Sequence, residues 1–337
     1  MNSHERGPEL PPPRGTLSAA VAAWLRGAGP LPRPAEAGEA DPYGDDPQLA
    51  LYLCYELHYR GFAGVGPGAE WDPELLRVRA ALERRFLSAL RADTPGHDSL
   101  DDALAALLVE PVEGSGVTHF LRAEGELWQL REYAAQRSLY HLKEADPHAW
   151  VLPRLRGRAK AGMAAVEFDE FGGGRADRVH ARLFAELMTD LGLDSTYGRY
   201  LDAARAEMLA VVNLMSLFGL HRGLRGALVG HFADVEITSS PGSRRLAEAM
   251  RRTGAGPAAE FFYDEHVEAD AVHEQVVRHE VIGGLLAEEP ELAADVVFGI
   301  DATEYLEDRL ARRLLADWRA GRSSLRTPLA PEISHTS

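Results

Sequence analysis

The stretch FYDEHVEADAVHEQVVRHE, residues 262–280, places three histidines and six carboxylates in nineteen positions. On a helix turning about 100° per residue, Asp270 lies about 40° past His266, and His273 falls about 60° short of a further full turn. His266, Asp270 and His273 therefore share one stripe. Two imidazoles and a carboxylate on one stripe can reach a common point and hold a divalent metal. A solvated face of mixed charge fits the same spacing, and Glu268 and His279 point away from the stripe onto such a face.

A second cluster lies in AAVEFDEFGGGRADRVHARLF, residues 164–184, where Glu170 and His180 flank Gly172, Gly173 and Gly174. Each glycine inside helix-forming sequence costs roughly 1 kcal/mol against alanine. Such a run is explained if the helix breaks there and brings Glu170 and His180 to one centre from two segments. A plain helix–turn–helix with polar ends is the other reading. Glu167 stands one turn before Glu170 and Asp169 beside it, so either can replace Glu170 or support it. Glu144, in YHLKEADPHAWVLPRL, reads alone as a surface residue near a helix end.

Further polar residues are candidates for lining a pocket. His231 and Glu236, in GHFADVEITSS, can hydrogen-bond a metal ligand or face a substrate. His221, Arg222 and Arg225, in HRGLRGA, can meet a substrate carboxylate, or can simply pair with surface acids. The aromatic run YELHYRG, residues 55–61, reads as a packing or dimer contact.

The elements that must carry these residues are helical. Residues 1–14 hold a proline-rich stretch that reads as a disordered tail, and a Pro/Gly/acidic linker runs to about residue 46. Helical periodicity covers 16–29, 46–62, 72–92 and 99–110, with Asp72 and Pro73 as a helix start. Beyond residue 120 it covers 123–145, 147–152, 155–171, 176–191, 195–202, 205–220 and 222–238. Three more stretches follow at 243–253, 256–287 and 290–320. β-Branched residues are sparse and alternation is rare, so the fold class is all-α. The expected organisation is a tail and linker over 1–45, an N-terminal helical extension over 46–114, a main domain over 115–325 and a short tail over 326–337.

The totals close off several functions. The chain has 337 residues, with 36 basic against 52 acidic residues for a net charge of −16, which repels a nucleic-acid backbone. Cys54 is the only cysteine, so thiolate-rich metal sites and intrachain disulfides are excluded. The N-terminus lacks the pattern of a signal peptide and no apolar run reaches about 18 residues, so the expectation is a cytoplasmic protein without a membrane partner.

Taken together, the three clusters resemble the heme-oxygenase-like diiron oxidases, the iron-containing redox enzymes. The resemblance rests on Glu144, Glu170, His180 and His266-x-x-x-Asp270-x-x-His273 in that order, and on the surrounding words SLYHLKEADPHAW, DEFGGG, NLMSLFGLHRGLRGALVGHF and FYDEHVEADAVHE. It covers about residues 115–325. It implies a heme-oxygenase-like helical bundle in which those six residues hold two Fe(II) ions. Dioxygen would then be the cosubstrate for oxidation of a small molecule, an amine or amino-acid derivative by preference, with an external electron donor. Three carboxylates against two ferrous ions leave such a site nearly neutral. A homodimer formed through the N-terminal helices is also implied. A bundle kept only for interaction, with or without metal, is the alternative. The glycine break further suggests that the His180 segment orders as metal binds.

Overall fold

The computed structural model describes residues 7–109, 114 and 116–329, and within these the side chains of Glu268 and Ala271 are not described. The direction expected of Glu268 therefore falls outside the described side chains. The N-terminal helices are α1 (Thr16–Leu25), α2 (Pro34–Glu39), α3 (Asp45–Glu56), α4 (Pro73–Asp93) and α5 (Leu100–Leu107). The chain continues through α6 (Val117–Ala123), α7 (Leu127–His141), α8 (Asp146–Ala149), α9 (Gly157–Glu170) and α10 (His180–Asp190). The remaining helices are α11 (Ala206–Leu220), α12 (Arg225–Thr253), α13 (Pro257–Val276), α14 (Gly283–Glu288) and α15 (Ala293–Arg319). No strand occurs among the described residues, so the all-α class holds. None of the described helices is long and apolar enough to cross a membrane.

Local sequence sets several boundaries. The Asp72 carboxylate accepts the N–H groups of Glu74 and Leu75, and Pro73 follows where a missing donor costs nothing. The start of α13 is tied to the end of α10, because Asp190 accepts the N–H groups of Ala258 and Ala259 at 2.6 and 3.2 Å. The apolar α11 is buried on nearly every face and forms the centre of the bundle. Against it, α12 packs along both α13 and α15. Gly230 of α12 and Gly299 of α15 let those two backbones touch, since a Cβ on either would overlap the facing main chain.

Three segments depart from the sequence expectation. Residues 195–202 form turns, because Asp194 takes the Thr196 N–H and Gly198 adopts a left-handed φ of +74°. The stretches 222–238 and 243–253 are one helix, α12, running through Pro241. Proline inside a helix costs about 3 kcal/mol, and here the α13 and α15 interfaces, with the Ser240 hydroxyl bonded to the Val267 carbonyl, hold the helix together. Residues 7–14 and 30–45, expected as tail and linker, pack onto the bundle. The Arg14 guanidinium donates to the carbonyls of Leu201 and Ala204 at 2.8 Å each.

Candidate metal centre

Five segments converge inside the bundle. The turn after α7 carries Glu144, the end of α9 carries Glu170, and α10 opens on His180. Glu236 sits mid-way along α12, and α13 supplies His266, Asp270 and His273. All seven side chains are buried.

The local backbone is specialised at two of these places. Ala145 adopts φ +71°, the only positive φ at a non-glycine residue among those described, at a cost of roughly 1–2 kcal/mol. It reverses the chain between α7 and α8 with Lys143 and Glu144 both buried. At the second place Gly172, Gly173 and Gly174 all have positive φ, and the chain folds back so that Gly172 lies against Arg178 and Val179. The break expected from the three glycines is thus present, and His180 Nδ1 returns to 2.8 Å from Glu170 Oε2.

Two groups of ligand atoms result, each within 4.8 Å of one another: Glu144, Glu170, His180 and His266 in one, Glu170, Glu236, Asp270 and His273 in the other. Glu170 belongs to both. All six residues singled out from the sequence fall into these groups, and Glu236 joins them as a potential ligand rather than only a support. Of the alternatives to Glu170, neither Glu167 nor Asp169 enters either group. Asp169 bonds His273 Nε2 at 3.3 Å from outside.

Neighbours fix the orientation of most of these side chains. His266 Nδ1 lies 2.7 Å from the Phe262 carbonyl, which can only accept, so that nitrogen carries the proton and Nε2 presents a lone pair inward. His141 Nδ1 holds Glu144 Oε1 at 2.6 Å. The Ser239 hydroxyl donates to Asp270, and Glu236 holds His273 Nδ1 at 3.0 Å.

Electrostatics show a site built for added positive charge. The nearby imidazoles of His141, His266 and His180 outweigh burial and hold the Glu144 carboxyl below its ordinary range. Burial works against charge on His180, yet Glu170, Glu144 and Asp270 push it up to about 9. His273 is likewise raised to about 11, burial being overcome by Asp270, Glu236 and Glu170. Burial is the chief cause raising Glu236 to about 8 and Glu167 to about 9, with neighbouring carboxylates adding to it.

The residues fit a metal pair. Glu144 Oε2 and His266 Nε2 are buried without a hydrogen-bond partner, each a loss of about 1–3 kcal/mol that a bound cation would remove. Four carboxylates, Glu144, Glu170, Glu236 and Asp270, match the four positive charges of two divalent ions. Imidazole and carboxylate donors suit iron. A third acidic group of His97, Asp301 and Glu304 lies elsewhere, and His97 is already bonded to Asp301 through both its backbone and its ring.

A cavity of about 470 Å³ opens beside the first group, lined by His141, Glu144, Ser239, Phe262 and Asp234 among others. Several residues singled out from the sequence do not line it. His231 instead bonds Thr303 at 2.8 Å and His148 at 3.1 Å. Arg225 pairs with Glu289, His221 with Glu83, and Arg222 is exposed. Glu167 is buried near Glu170, and neither of its carboxylate oxygens has a partner. His279 is exposed. The sequence reading passed over His141 and Asp234. The available signal was His141 three residues before Glu144, and acids inside the apolar run ALVGHFADVEI.

A nitrosourea synthase from Streptomyces achromogenes subsp. streptozoticus is 26% identical over 238 residues, which are 67% of this chain and 50% of that protein. The chain thus spans about half the length of the curated relative it matches. A family model described as iron-containing redox enzyme matches residues 131–308, over half of the chain and all seven residues of the cluster. This chain belongs to the iron-containing redox enzyme family.

Proposed function

We propose that the protein is a non-heme diiron oxidoreductase that uses dioxygen to oxidise a small amine- or amino-acid-derived molecule. The observation that carries this reading is Glu170, shared by two groups of four buried ligand atoms. Glu144, His180 and His266 would hold one iron, Asp270, His273 and Glu236 the other, with Glu170 between them. When bound, two ferrous ions supply the electrons and open coordination positions needed to activate dioxygen.

The chain's own residues supply orientation and part of an apolar wall. The Phe262 carbonyl keeps the proton on His266 Nδ1, so the inward nitrogen stays a donor to metal. His141 and Ser239 fix Glu144 and Asp270 from the cavity side. Phe262 and Met215 give that cavity part of an apolar wall. The preference for chemistry on nitrogen draws on the similar protein's name, nitrosourea synthase.

The test is anaerobic loading of the metal-free protein with Fe(II), counting of bound iron, and admission of dioxygen while recording visible absorption. The expected result is two irons per chain and a transient visible band, both abolished in His266→Ala and Asp270→Ala. Failure of the folded wild-type chain to bind iron would overturn the reading.

A further inference from the structure

The cavity beside the cluster contains an acid that no described cation pairs with. Asp234 lines the cavity and is 6% exposed. Its Oδ2 is buried without a hydrogen-bond partner. The surrounding acids make the imbalance larger. Glu304 and Asp308 line the same cavity, and Asp308 also pairs outward with Arg312 at 2.7 Å. Arg137 is the one arginine in the wall among the described residues, and it is already used. Its two terminal nitrogens donate to both oxygens of Glu307 at 2.7 and 2.6 Å. A substrate carboxylate entering here would have to compete with Glu307 for that fork. A second polar group is also left over, since the Tyr263 hydroxyl lines the cavity, buried and without a partner.

A buried acceptor left unpaired is costly, and a ligand donor that satisfies it recovers that loss on binding. We propose that this cavity is a substrate pocket for small molecules bearing a cationic nitrogen group, a guanidinium or a primary ammonium, and that Asp234 is the residue that pairs with it. The apolar Met215 and Phe262 would take the carbon chain. The proposal rests on the diiron reading only for the reaction that follows binding; the pairing with Asp234 stands without it. A guanidinium suits the pocket best, because its planar fork can reach one carboxylate with two donors and still offer an N–H to a hydroxyl such as Tyr263. The volume of about 470 Å³ is adequate for a chain of several carbons and such a head group.

The test measures binding by calorimetry under anaerobic conditions, with the iron content of each sample counted. Butylguanidinium is compared with butylurea, a neutral molecule of nearly the same shape, and with valerate. The expected order is butylguanidinium at least about tenfold tighter than butylurea, with valerate weakest. In Asp234→Asn the cation should fall by at least about tenfold, to the level of butylurea, while urea binding changes little. Equal affinity for cation and urea in the wild-type chain overturns the proposal, and that comparison needs no variant to fold. Retention of the cation preference by a folded Asp234→Asn protein overturns it as well. Iron counting separates the two readings. A chain that prefers the cation but takes no iron upholds the pocket and removes the diiron function. A chain that loads two irons without the preference keeps the function and removes the pocket.

Discussion

Lys143 Nζ lies 2.9 Å from Glu56 Oε2, and the two side chains are 1% and 0% exposed. The pair joins the end of α3 to the turn that carries Glu144. Lys143 also sits 4.0 Å over the Tyr59 ring, and the Tyr197 hydroxyl donates to the other Glu56 oxygen at 2.7 Å. The aromatic run around residue 55 is therefore a packing contact that anchors the Glu144 turn from the N-terminal helices.

Removing one partner of a buried pair strands the other charge, at about 3–5 kcal/mol. Glu56→Ala should lower the melting temperature by about 10 °C and weaken iron binding, because the strained Ala145 turn loses its support. Glu56→Gln keeps the Tyr197 bond and should lose less. Calorimetric melting and iron counting check this, and a Glu56→Ala protein that melts like the wild type would remove the anchoring role.

Glu236 bonds His273 and completes the second ligand group. Glu236→Gln keeps the size and removes one negative charge, leaving four positive charges against three. The expected result is an intact first iron and a second bound about 10–100-fold more weakly. Anaerobic Fe(II) titration reads both steps, and two irons of unchanged affinity would reduce Glu236 to a bystander.

The contrast between Glu236 and the six candidate ligands named from the sequence shows where local patterns stop. His266, Asp270 and His273 could be grouped because one helix period relates them, and Glu170 and His180 because three glycines advertise a break, while Glu144 joined them only through the family resemblance. Glu236 is brought to them only by the packing of α12 on α13, which no local pattern encodes. The periodicity reads as two helices, 222–238 and 243–253, yet the flanking interfaces carry one helix through Pro241. Arg225 resembled an anion site until its distant partner Glu289 was in view. The proline-rich start looked disordered because the contacts of Arg14 lie nearly two hundred residues away in sequence.

Without metal, the cluster holds its surplus protons more tightly folded than unfolded. His180 is raised to about 9 and His273 to about 11, and Glu236 to about 8. For each histidine the stabilisation is fully present below the unfolded value near 6.5 and is lost as pH rises through the folded one. Glu236 acts in the same direction, costing stability as pH rises from its unfolded value near 4.5 to about 8. The melting temperature of metal-free protein should therefore fall between about pH 6.5 and 9. Metal displaces these protons, so the loaded protein should melt evenly across that window and bind metal more tightly as pH rises. Melting curves with chelator and with anaerobic Fe(II) test both halves. A metal-free chain that gains stability across the window would contradict the charge balance drawn here.

The glycine break offers the sharpest separation of backbone strain from metal binding. Gly172 and Gly174 both have left-handed φ, +73° and +79°, so alanine at either costs roughly 1–2 kcal/mol in backbone strain. Their surroundings differ. A Cβ on Gly172 would lie 2.6 Å from the Arg178 carbonyl carbon and 2.7 Å from Val179 N, in the main chain that delivers His180. At Gly174 it would meet only the Phe168 ring, at 3.6 Å. Gly174→Ala should therefore lower stability slightly and still load two irons. Gly172→Ala must push the returning segment outward, carrying His180 away from Glu170 and Glu144. It should bind the first-group iron at least about tenfold more weakly, for a similar backbone-strain cost. Hydrogen exchange over residues 171–182 gives a second readout: we propose that metal raises protection there in the wild type, and the Gly172→Ala protein should lose that increase. If Gly172→Ala binds two irons as tightly as Gly174→Ala, the break is a connector and not the device that seats His180.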